Sequence, residues 1–256
     1  MTSLPSSQLG KIAWSVSGIA LFVSLWWAVA LVLGNAVLLP SPGAVLTGLV
    51  QLVEDGSIWT DIGASLKRVI GGFLIATALA VPLALVMAFS KPVGYLVAPI
   101  LNFLRPIPPI AWIPIAILWF GIGDPPSYFI TALAAFFPIF INSYAGGISV
   151  KPEHINAARS LGATRRALVT RIYLPSAMPL IATGLRIGLG QSWMAVVTAE
   201  LIAAQSGLGY MIQANRLALE TGLVLVGMSV IGVLGALMTA IVQHVEKHIL
   251  VPWNNP

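Results

Sequence analysis

The sequence contains no cysteine, which excludes disulfides and thiolate-held metal. Charge is scarce as well: Asp, Glu, Lys and Arg make up 8% of 256 residues, where a soluble domain carries roughly a quarter. The three histidines, His154, His244 and His248, form no HExxH or similar ligand spacing. No metal site and no catalytic grouping of His with Asp or Ser is therefore expected, and the reading is of a non-enzyme. A GxxxxGK[ST] phosphate-cradling loop is also missing. The long apolar runs hold no interior pair of Asp or Glu, the feature an ion-gradient-driven secondary transporter would need.

Apolar residues fill the space, at 58% of the chain with a mean hydropathy of +0.94. A helix crosses the hydrocarbon core with about 20 apolar residues. Ile12–Leu33 and Val69–Phe89 meet this without a charge, and Thr221–Gln243 is apolar up to His244, Glu246, Lys247 and His248. Ala177–Ala199 is interrupted only by Arg186, and Tyr128–Ile141 extends from Pro126 to Tyr144. Tyr95–Phe120 is long enough but holds Arg105 and Pro99, Pro106, Pro108, Pro109 and Pro114. Six spans are expected, in an all-α, polytopic membrane protein. The run Ile12–Leu33 exceeds the roughly 7–15-residue core of a signal peptide and no A-x-A-like site follows it, so it is expected to stay as the first span.

The net charge of +5 is small and does not call for nucleic acid. Its placement is what matters. Lys11, Lys91, Lys151, Arg159, Arg165, Arg166, Arg171 and Lys247 fall on one side if the spans alternate. The other side holds Lys67, Arg68 and Arg216 with Glu54, Asp55, Asp61, Asp124 and Glu220. Positive residues collect in cytoplasmic loops, so both termini are expected inside. The expected layout is a cytoplasmic tail over 1–11, a first transmembrane helix over 12–34, an outer loop over 35–65, a transmembrane core over 66–248 with a cytoplasmic loop at 145–176, and a tail over 249–256. Within the outer loop, Ala44–Val53 has the spacing of a short interfacial helix.

The cytoplasmic loop reads Lys-Pro-Glu-His-Ile-Asn-Ala-Ala-Arg-Ser-Leu-Gly from Lys151 to Gly162. Pro152 and Glu153 suit a helix N-terminus, and Gly162 suits the left-handed residue that ends one. A second helix is expected from about Thr164 to Tyr173, stopping at Leu174-Pro175. Two short helices joined at a glycine make a knob that could transmit a push. The plainer reading is a basic loop whose charges only hold the topology.

Asn156-Ala157-Ala158, Gly162 and Ile172-Tyr173-Leu174-Pro175 resemble the EAA loop of binding-protein-dependent ABC permeases, with Asn156 where the family has Glu. The resemblance runs from about Leu39 to Val251. Leu39-Pro40-Ser41-Pro42, Ser65-Leu66-Lys67-Arg68-Val69, Arg105-Pro106-Ile107-Pro108-Pro109, Trp119-Phe120-Gly121-Ile122-Gly123, Thr183-Gly184-Leu185-Arg186-Ile187-Gly188 and Ala199-Glu200-Leu201-Ile202-Ala203 are similar to the nitrate/sulfonate/taurine/bicarbonate branch. The resemblance implies the type I ABC importer transmembrane fold and a bacterial plasma-membrane location. It implies a homodimer of this subunit, two ATP-binding subunits inside that hold ATP and magnesium, and a substrate-binding protein outside. It also implies that this chain binds no cofactor. The coupling helix would use Glu153, His154, Asn156, Ala157, Ala158, Arg159 and Gly162, with Leu174 and Pro175 closing the motif. The cargo it implies is a small anion, taurine or an alkanesulfonate before nitrate or bicarbonate.

Arg105 and Arg186 within apolar spans have two readings: an electropositive pathway, or side chains that snorkel to the cytoplasmic interface. The proline-broken stretch with Pro108 frees carbonyls that lipid does not tolerate, so it should face protein or water. Glu200 could line an outer gate or be a solvated span end. Trp112, Trp119 and Trp193 could line the pathway or anchor an aromatic belt. Gly184, Gly188 and Gly190 form a small-residue face for close helix packing. Leu208-Gly209-Tyr210 belongs to an outer segment that could touch the binding protein.

Overall fold

A computed structural model describes residues Gln8–Leu250, and the described residues contain helices and no strand. The tails expected at 1–11 and 249–256 lie largely outside the described residues. The helices are α1 (Gln8–Leu33), α2 (Pro42–Glu54), α3 (Ser57–Phe89), α4 (Lys91–Leu104), α5 (Ile113–Phe120), α6 (Asp124–Ile148), α7 (Pro152–Ser160), α8 (Arg165–Leu168), α9 (Leu174–Ala203), α10 (Leu208–Leu217) and α11 (Thr221–Val245). Two compact units result. One ends at Trp59 and takes up again from Met211 to Ser229; the other runs Thr60–Tyr210 and resumes at Val230.

In the first unit, α1 is apolar on every side and its described side chains are mostly exposed, as suits a helix whose surroundings are lipid. Ser41 caps α2 by accepting from the Ala44 amide at 3.2 Å, with Pro42 opening the first turn. A helix is therefore present over the residues expected to form one, Ala44–Val53. The Trp26 indole donates to the Pro40 carbonyl at 3.0 Å, and the Thr221 hydroxyl donates to the Val37 carbonyl at 2.7 Å.

In the second unit, α6 and α9 pack over most of their length. Small residues allow it: a Cβ on Gly184 would lie 2.9 Å from the Asn142 Cβ, and one on Gly188 would lie 2.7 Å from Ile139. Within this chain, nothing lies within 4 Å of where a Gly190 Cβ would be. Ala76, Ala80, Ala84, Ala135 and Ile139 form a buried core in which small side chains bring α3 close to α6.

Among the described residues, five helices are long and apolar enough to cross a membrane, six when the α4–α5 pair is counted as one broken span. That pair holds the stretch within Tyr95–Phe120 that its prolines were expected to break. It bends by 88°. Pro106, Pro108 and Pro109 lack amide hydrogens and clash with the preceding turn, so the helix stops at Leu104 and restarts through a 3₁₀ turn at Pro109–Trp112. A correction concerns Leu174-Pro175, where the helix was expected to stop. The chain stays helical from Arg165 to Ala203 through a π-helical turn at Val169–Tyr173. The wider turn makes room for the Pro175 ring, which a tight α-turn would not. Helix α3 begins at Ser57, well before the unbroken apolar run at Val69, and so carries Asp61, Ser65 and Arg68 inside it.

Candidate functional site

Three places in the second unit hold polar chemistry. The first joins α3, α6 and the turn after α9. Arg68 is 2% exposed and uses all five of its N–H groups. Its Nε donates to Asp124 Oδ1 at 2.9 Å, and Nη2 donates to the same oxygen at 2.5 Å and to the Ser206 hydroxyl at 2.8 Å. Its Nη1 donates to Glu200 Oε1 at 2.7 Å and to the Ser206 carbonyl at 2.6 Å. The Ser65 hydroxyl lies 2.8 Å from Glu200 Oε2 and accepts from the Leu208 amide at 2.9 Å. The Gly209 amide donates to Glu200 Oε2 at 2.9 Å, and the Gly207 amide donates to Asp61 at 2.8 Å. Glu200 is 1% exposed, so the reading of a solvated span end does not hold. Buried charge is costly unless paired and hydrogen-bonded, and here every partner is supplied by the chain. The cluster clamps the 204–207 turn and the start of α10 onto α3.

Sequence reasoning placed Arg68, Asp61 and Asp124 in outer loops and missed this cluster. A signal was present: one Arg at the edge of an apolar run, with an acid at each of two other span ends on the same side.

The second place is the elbow between α7 and α8. Helix α7 starts with Pro152 and Glu153 in its first turn and has Arg159 in its last. Gly162 adopts φ +80°, the left-handed value expected of it. The Ala163 amide donates to the Ala158 carbonyl at 3.0 Å and the Gly162 amide to the Arg159 carbonyl at 2.9 Å, the paired bonds of a Schellman cap. Thr164 then caps α8, accepting from the Ala167 amide at 3.2 Å. Glu153, His154, Asn156, Ala157 and Arg159 are exposed and Ala158 half-buried, and Leu161 is 89% exposed at the tip. Leu174 and Pro175 lie in the helical continuation into α9, half-buried. The elbow is a pre-shaped, solvent-facing surface.

The third place is the break between α4 and α5. Arg105 and Pro108 are exposed there, and Trp112 packs edge-on against Phe129 with ring centroids 6.4 Å apart. Arg186 and Trp193 are not brought to this break. Arg186 makes a loose ion pair with Glu246 at 3.5 Å. Trp193 is buried, and its indole donates to the Ile231 carbonyl at 2.8 Å. Trp193 and Glu200 are thus held by helix-to-helix bonds.

Comparison with known proteins agrees with this architecture. Residues 80–251 match the family described as binding-protein-dependent transport system inner membrane component. The chain is 36% identical to the taurine transport system permease protein TauC of Escherichia coli (strain K12), over 95% of this chain and 90% of that one. It is 31% identical to the nitrate import permease protein NrtB of Leptolyngbya laminosa, over 77% of this chain and 70% of that one. Its fold resembles that of a chain from the MetNI methionine ABC transporter in inward-facing conformations, with a TM-score of 0.63 at 20% identity, covering 78% of this chain and 95% of the other. The chain belongs to the binding-protein-dependent transport system inner membrane component family. It is a multi-pass permease subunit of an ABC importer, and the ion-gradient-driven alternative is set aside.

Proposed function

We propose that this permease imports a small sulfonate, taurine or a related alkanesulfonate, using ATP hydrolysed on a separate subunit. The observation that carries the substrate class is the similarity to the taurine permease along 95% of the chain; nitrate is the second candidate, from the more partial likeness to the nitrate permease. The working assembly is two copies of this chain, two ATP-binding subunits holding ATP and magnesium inside, and a substrate-binding protein outside. The transmembrane core over 66–248 carries the pathway, and α2 belongs to the outer side.

Coupling runs through α7. Its exposed face, with Glu153, His154, Asn156, Ala157, Ala158 and Arg159, sits in a groove of the ATP-binding subunit. The Gly162 cap fixes the angle between α7 and α8. The unbroken helix from Arg165 to Ala203 carries movement of the elbow into the membrane, past Leu174 and Pro175. Asn156 keeps hydrogen-bonding capacity but no charge, so docking there does not rest on a salt bridge from that position. The broken span exposes Arg105 and Pro108, and its freed carbonyls suit an aqueous pathway lined in part by Trp112. A guanidinium at that point attracts a sulfonate. Arg186, already facing Glu246, contributes less field, and Trp193 and Glu200 act by holding the helices that frame the pathway.

The test is binding of taurine, alkanesulfonates, nitrate and bicarbonate to the cognate binding protein, followed by uptake into vesicles with the assembled transporter. Tight binding and ATP-dependent uptake of a sulfonate support the reading. Selective uptake of nitrate or bicarbonate overturns the substrate class.

A further inference from the structure

Beside the elbow lies a cleft of about 760 Å³ lined by Phe89, Ser90, Lys91, Pro92, Arg159, Ala163, Arg165 and Leu168. Three cations from three separate elements, the start of α4, α7 and α8, converge on it. No carboxylate lines it, and none of the three side chains has a hydrogen bond or ion pair among the described residues. All three are exposed, and like charges around one open cleft favour an anion between them. Arg165 also stands at the N-terminal end of the long helix into α9, where a cation is disfavoured by the helix dipole. The chain therefore gathers unpaired positive charge at one cleft, in Arg165's case at a helix end that does not favour it.

We propose that this cleft binds the phosphate headgroup of an anionic phospholipid from the cytoplasmic leaflet. Phe89 is the last residue of the membrane helix α3 and Lys91 the first of α4, which sets the cleft at headgroup depth. Phe89, Pro92 and Leu168 give it an apolar wall of the kind the glycerol-acyl junction of a lipid requires. Phe89 is itself braced by an edge-on contact with Tyr173, ring centroids 5.3 Å apart. A basic, partly apolar cleft at the inner surface has the chemistry for such lipids. Because Arg159 is on α7, an occupied cleft would steady the coupling elbow against the end of α3.

The test uses the assembled transporter, with Lys91→Gln/Arg165→Gln as the variant and Arg159 left in place. Native mass spectrometry should find phosphatidylglycerol retained by the wild type and reduced about tenfold in the variant, with phosphatidylcholine weak in both. In nanodiscs, adding phosphatidylglycerol should raise binding-protein-stimulated ATP hydrolysis in the wild type only, with equal rates in pure phosphatidylcholine. Equal retention by the variant overturns the proposal. So does inorganic phosphate reproducing the lipid response, which would make this a site for a soluble anion. Loss of the ATP-binding subunit from the purified variant also overturns it, because the cleft would then belong to that partner. Lipid retention does not involve the transported solute, so its failure is separable from failure of the sulfonate reading.

Discussion

Arg68 and Arg165 are the same residue type with opposite fates. Arg68 is buried with every donor occupied by Asp124, Glu200 and Ser206, whereas Arg165 is exposed and unpartnered among the described residues. On the side expected to face out, the chain satisfies its own charge and gains a rigid joint. On the side expected to face in, it leaves charge unsatisfied for molecules other than itself. A single chain thus separates a clamp, which should tolerate no substitution, from an interface, which should tolerate many at the cost of coupling.

The largest effect should come from breaking the clamp. Glu200→Ala leaves Arg68 buried with half its anionic partners and takes the acceptor away from the Gly209 amide and the Ser65 hydroxyl. Removing one partner of a buried pair costs about 3–5 kcal/mol, so a large drop in the thermal unfolding midpoint in detergent, with poor membrane yield, is expected. Gly207→Val comes next. Gly207 has φ +105°, and an added Cβ would lie 2.6 Å from Glu200 Cδ and 2.7 Å from Arg68 Nη1. Backbone strain alone costs of order 1–3 kcal/mol, and the same unfolding measurement should show an intermediate loss.

The elbow should behave differently. Nothing lies within 4 Å of where a Gly162 Cβ would be, so Gly162→Val meets only the left-handed backbone penalty, about 1–2 kcal/mol. The spans should stay folded while uptake falls and ATP hydrolysis loses its response to loaded binding protein. Gly162→Asn, which tolerates that conformation better, should recover part of the coupling. The smallest effect belongs to Arg186→Gln. Its partner stands 3.5 Å away and its side chain is 39% exposed, so stability should move by less than about 1 kcal/mol in the same assay.

How much of this could be read from the sequence depended on whether the deciding contacts were local. α1 and α11 were legible because an unbroken apolar run states a span by itself. The Gly162 turn was legible because a helix end is a few-residue event. The start of α3 was not: Asp61 and Arg68 look like loop residues until Asp124, Glu200 and Gly207 arrive from far along the chain to neutralise or cap them. For the same reason Glu200 could be taken for a solvated end. The prolines after Arg105 gave the place of the break, but its 88° angle depends on packing against α6. Pro175 looked like a stop because a π turn that absorbs a proline leaves no mark in residue type.

The central claim is that the exposed elbow joins this chain to a motor on another polypeptide. The most direct measurement is uphill solute accumulation in proteoliposomes containing this chain with its binding protein, with and without the cognate ATP-binding subunit. Accumulation only when the ATP-binding subunit and ATP are both present is the predicted result. Accumulation against a gradient by this chain without any nucleotide-hydrolysing subunit would contradict the account.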